Sequence, residues 1–185
     1  MTAAMEETST PVGEADLTFV FGPEAGDEVK AAIAAADARL RELRDELAAR
    51  SGHEWETAGL TLQTQPSGQT SIDGTLVDPE ERLRFTVQLR PENYFSTHPW
   101  RPGHAARPMS TNGWDVDGEA MVTVVRRVLN KKYPIQESGG ELEERHFTSP
   151  AEAAAGLVTA VEELAALAGS REPTAAAWTP PEEPA

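Results

Sequence analysis

Six apolar residues, Val29, Ile33, Ala36, Leu40, Leu43 and Leu47, recur at spacings of four, three, four, three and four. Only an α-helix gathers such a set onto one stripe. The chain therefore carries a helix over about 27–50 whose apolar face must be covered. Alanines and the charged Arg41, Arg44 and Asp45 suit its other faces, and Ser51-Gly52 supplies a glycine C-cap. The same repeat fits a coiled-coil seam, but the run is short, and packing on a sheet is the simpler expectation.

The sheet follows directly. In Arg82–Arg90, Leu83, Phe85, Val87 and Leu89 point one way and Arg82, Arg84, Thr86 and Gln88 the other. Trp55–Gln65, with Leu60 and Leu62, and the weaker Ser71–Val77 read as two earlier strands. Pro66-Ser67-Gly68 and Asp78-Pro79-Glu80-Glu81 are turn sequences. Connections this short make neighbours antiparallel, and the clean alternation implies one buried face and one wetter face. Leu17, Phe19 and Phe21 alternate as in a short edge strand, which Gly22-Pro23 breaks.

The stretch Trp114–Leu129 fits two periods. With period two, Trp114, Val116, Ala120, Val122 and Val124 share a face. With the helical period, Met121, Val122, Val124, Val125, Val128 and Leu129 form a stripe, Asp117 serves as N-cap, Lys131 and Lys132 suit the helix C-terminus and Pro134 stops it. The valines favour a strand, yet the end signals lead us to expect a helix over Gly118–Lys132 with a short extended lead-in. Leu142–Phe147 reads as a last strand. Ser149-Pro150-Ala151-Glu152 is a helix start, with Ser at N-cap, Pro at N1 and Glu at N3. Leu157, Val161, Leu164 and Ala168 are its apolar face, and Gly169 ends it.

The expected fold is α+β: an antiparallel sheet of three to four strands with helices packed on one face, in the order helix, three strands, helix, strand, helix. Leu40, Leu43, Phe85, Val87, Leu157 and Val161 are the expected core. The order resembles small α+β sandwiches found among secretion chaperones and bacterial immunity proteins. Such a likeness speaks to fold and not to function.

Residues 1–15 read as a disordered acidic lead, 16–169 as one domain, and 170–185, with Pro180-Pro181 and Pro184, as a disordered tail holding an isolated Trp178. A domain of this size buries about two-thirds of its unfolded surface and needs no metal or disulfide to fold. The chain has no cysteine, which excludes disulfides, thiolate metal sites and cysteine nucleophiles. No apolar run nears the roughly 20 residues that span a bilayer, and Met1–Thr10 lacks the pattern of a secretory signal. A cytoplasmic protein is expected. Arginine outnumbers lysine among abundant alanine, glycine and proline, as in a GC-rich bacterial genome.

The net charge is −15, unevenly spread. Residues 1–28 hold seven acids and no Lys or Arg, and 133–185 hold ten glutamates against Arg145 and Arg171. Residues 91–132 carry Arg101, Arg107, Arg126, Arg127, Lys131 and Lys132 against four acids. An acidic surface repels nucleic acid and acidic membranes, so another protein with a basic surface is the expected partner.

No P-loop, dinucleotide fingerprint, nucleophile elbow or HExxH is present. The loop 91–113 is the strongest functional candidate. Tyr94, Phe95 and Trp100 lie in it and Trp114 beside it, interleaved with Arg101, His104 and Arg107. These are the residue types of binding hot spots, and Pro99, Pro102 and Pro108 limit the entropy lost on binding. The opposing reading has Tyr94, Phe95 and Trp100 folding back as a core cap. We expect a non-enzymatic protein-binding module of chaperone, adaptor or immunity type, its binding residues Tyr94, Phe95, Trp100, Arg101, Arg107 and Trp114, with no catalytic residue, metal or cofactor. One alternative is a metal-assisted hydrolase using the loop histidines His98 and His104, since imidazole and carboxylate suit zinc or iron. Another is an acidic nucleic-acid mimic that blocks a DNA-binding protein. Asp115 and Asp117 would share a face if their segment is extended.

Overall fold

A computed structural model of the chain describes residues 8–22, 25–52, 54–64, 70–78, 83–92 and 113–170. Along the chain run β1 (Thr8–Pro11), α1 (Glu14–Phe21), α2 (Asp27–Ser51), β2 (Leu60–Thr64), β3 (Thr70–Val77), β4 (Leu83–Pro91), β5 (Trp114–Val128), β6 (Lys131–Phe147) and α3 (Pro150–Ser170). The α+β class holds. The sheet is larger than expected: six strands in the order β1-β2-β3-β4-β5-β6, every neighbour antiparallel.

The apolar rhythm of α2 is realised residue for residue. Val29, Ile33, Ala36, Leu40, Leu43 and Leu47 are its buried set, and Gly52 ends it at φ 77° with its N–H donating to Ala48 O at 3.0 Å. Gly74 on β3 sits directly beneath Leu40, where a Cβ would overlap the leucine. Leu83, Phe85, Val87 and Leu89 of β4 face the same core, as do Leu157, Val161 and Leu164 of α3. At the start of α3 the Ser149 hydroxyl accepts the Glu152 N–H at 3.2 Å, as its cap sequence implied. Arg39 ties α2 to α3 through Glu162 at 2.8 Å and also binds Glu46 at 2.9 Å. The Glu46 hydrogen bond first, then Glu162, raises its already high pKa.

Three expectations are corrected. Residues 17–21 lie in helix α1 and not in a strand. Leu17, Phe19, Val20 and Phe21 are all buried, so the segment has no wet face to give it a helical period. Its start is marked instead by Gly13, whose N–H donates to the Asp16 carboxylate at 2.8 Å. Residues 8–15, read as part of an acidic lead, form β1 and the first residues of α1.

The largest correction is at 118–132. The segment is not a helix but the end of β5, a turn and the first residues of β6. Leu129 and Asn130 make the reversal at φ 49° and 65°, the left-handed pair that joins two strands of a twisted ribbon. Val128 pairs with Lys131 across it. Pro134, taken for a helix stop, lies in the edge strand β6, where a missing N–H is tolerated.

Candidate functional site

Helices cover one face of the sheet, and the other is polar. Register places Thr61 and Gln63 of β2, Ser71 and Asp73 of β3, Gln88 and Arg90 of β4, and Asp115 and Asp117 of β5 on that open face. They form a chain of hydrogen bonds across the strands. Ser71 Oγ donates to Asp73 Oδ1 at 2.7 Å, Gln88 Nε2 donates to both Asp73 oxygens at 3.2 and 3.3 Å, and Arg90 donates to Gln88 Oε1 at 2.7 Å. Arg90 also bridges Asp117 at 2.9 Å and Glu144 of β6 at 3.0 Å. A groove of about 500 Å³ lies here between β4, β5 and β6. Arg90 stands among the carboxylates Asp117, Glu119, Glu141, Glu143 and Glu144. Among the described residues, Glu119, Glu141 and Glu143 have no cationic partner, so the groove is an uncompensated acidic trough.

At the far end of this face three potential metal ligands meet. One oxygen each from Glu92 and Asp115 and a ring nitrogen of His146 lie within 4.8 Å of one another. His146 Nδ1 is 2.8 Å from Asp115 and 3.4 Å from Glu92. Gly113 makes room for the imidazole, since a Cβ there would come within 2.6 Å of it. The imidazole between two carboxylates is a hydrogen-bonded arrangement by itself, and the same three atoms suit a divalent cation.

The opposite end of the sheet carries an arm. β4 begins at Leu83, opposite Val122 of β5. Beyond that point, among the described residues, Thr123–Val128 pairs only with Lys131–Gln136 of β6. A two-stranded ribbon is marginally stable in water unless something covers it. Val128 and Tyr133 lie on the continuation of the face that buries Val122, but beyond the cover of the helices they are 49% and 46% exposed. Leu129 at the tip is 92% exposed and Ile135 39%. These are the large apolar side chains exposed among the described residues. Arg127, Lys131 and Lys132 are exposed beside them, and no acid lies between residues 123 and 136.

Of the residues expected to bind, Tyr94, Phe95, Trp100, Arg101 and Arg107 lie outside the described residues, as do His98 and His104. Trp114 is a core residue and not part of a presented surface. It is 5% exposed, its indole N–H donates to Val20 O at 2.8 Å, and its ring lies 6.0 Å from that of Phe21. Asp115 and Asp117 do share a face, because their segment is extended. The sequence reading missed the arm and the Glu92–Asp115–His146 cluster. The arm's signal was Leu129-Asn130 between two extended runs. The cluster had none, since its members come together only through strand register. Among the described residues, no helix is long and apolar enough to cross a membrane.

The fold and its exposed surfaces thus define an α+β domain with a projecting hairpin and an acidic sheet face. No protein-family model, curated protein or solved structure matches the chain.

Proposed function

We propose that this chain is a protein-binding module of the chaperone, adaptor or immunity kind, and that the β5–β6 arm is the element it presents. One observation carries the reading: the large apolar side chains that the described structure leaves in water are gathered on one projecting hairpin. Contiguous exposed apolar surface of this sort marks an interaction site. The tip strengthens it. Leucine at φ 49° is strained where Asn or Gly would be relaxed, so stability alone does not account for Leu129. A photo-crosslinking residue at 129 or 133 should capture a protein in the native cell extract, and the same residue at exposed Ala38 on α2 should not. Equal capture from all three positions would count against the arm.

A second reading, metal-assisted hydrolysis, draws on the Glu92–Asp115–His146 cluster rather than on the loop histidines. One equivalent of zinc or iron in the native protein, lost in His146→Ala, would support it. Metal-free native protein that takes up no zinc would remove it.

A further inference from the structure

We infer that the arm's partner is a second copy of this chain, with the arm of each protomer seated in the acidic trough of the other. The inference rests on the arm as the binding element and names what it binds. Its first ground is charge. Residues 123–136 carry Arg126, Arg127, Lys131 and Lys132 and no acid, so the remainder of this −15 chain carries −19. An acidic body calls for a basic partner, and the chain builds one at its own extremity. The second ground is the match of unpaired groups. Among the described residues, Arg127, Lys131 and Lys132 on the arm have no acidic partner, and Glu119, Glu141 and Glu143 in the trough have no basic one.

Packing one arm against another would juxtapose eight positive charges, whereas arm against trough brings Arg127, Lys131 and Lys132 to three carboxylates. The two strands of the arm also form part of the trough, which lies at the arm's root. A two-fold axis near that root lets both arms cross into both troughs at once. The contact is then isologous and closes as a dimer instead of growing into a filament. Register puts Arg127 and Lys132 on the ribbon face that continues the trough's side of the sheet, with Val128, Tyr133 and Ile135 on the other, so Leu129 at the tip is the apolar side chain that enters the contact with the charges.

The test is light scattering on the purified full-length chain, with charge exchange between arm and trough. The wild type should show twice the 20.0 kDa chain mass. The triple variant R127E/K131E/K132E and the triple variant E119K/E141K/E143K should each be monomeric, with dimerisation weakened more than ~100-fold. Mixed one to one they should form a dimer again, since both contacts are then complementary. All six positions are exposed, and thermal melts verify that each variant is folded. Should either triple variant fail to fold, Leu129→Asp, which the left-handed turn tolerates, must also yield a monomer. A wild type that stays monomeric up to ~100 μM, where even a micromolar Kd would populate the dimer, overturns the inference. Variants that still dimerise, or a mixture that stays monomeric, do so equally. A monomeric wild type whose arm nonetheless crosslinks a different protein would leave the arm as the binding element and remove only the second copy as its partner.

Discussion

Replacing Phe85 by alanine probes the centre of the fold. Phe85 is fully buried in the sheet interior, in register with Leu76 of β3 on one side and Ala120 of β5 on the other. Its ring stacks on Trp55 with centroids 6.1 Å apart. Truncating a buried phenylalanine costs about 3–5 kcal/mol through lost transfer energy and the cavity left behind. The aromatic pair adds roughly 0.5–1.5 kcal/mol. Both flanking strands are held by backbone ladders and cannot close in on the void, which puts the expected loss in the upper part of that range, at about 4–5 kcal/mol. For a chain of this size each kcal/mol moves Tm by roughly 2–4 °C, so Tm should fall by ~8–20 °C. Equilibrium denaturation in urea, with the m-value unchanged, measures the loss directly. A loss below ~1 kcal/mol would refute the placement of this face in the core.

Other substitutions test separate parts of the account. Gly74→Val should destabilise by about 1–3 kcal/mol in the same assay, because its side chain must displace Leu40 and press on Leu60 and Val87. Trp114→Phe keeps an aromatic ring but loses the indole N–H that donates to Val20 O and part of the buried volume, at a cost of at least about 1–3 kcal/mol by chemical denaturation. Were Trp114 a surface anchor, the melt would not change. Leu129→Asn should raise the thermal stability slightly, by up to ~1 kcal/mol, because Asn accepts the left-handed turn, while weakening partner binding. A variant that gains stability and binds as before would show that the tip leucine is incidental.

The sequence was most legible where one period ruled. The stripe of α2, the alternation of β4 and the cap of α3 each pointed to one secondary structure, and each formed as expected. Two segments misled for opposite reasons. Residues 17–21 are apolar and buried at every position but Thr18, so burial erased the periodicity that would have marked a helix. Residues 118–132 carry enough valine to satisfy either period, and Lys131, Lys132 and Pro134 imitate a helix end. The deciding feature was the left-handed pair Leu129-Asn130, which a leucine disguises. The open face was hidden for another reason. Asp73, the Gln88/Arg90 pair and Glu144 are far apart in sequence, and strand register alone aligns them.

Hydrogen–deuterium exchange over residues 123–136 tests most directly whether the arm is the binding element. An uncovered two-stranded ribbon exchanges quickly, whereas a docked one is protected. With the protein in its native assembly, arm amides should exchange far more slowly than in dilute isolated chain, while those of α2 and β4 stay the same. Arm amides that exchange alike in both states, with protection gained elsewhere on the surface, would contradict the proposal.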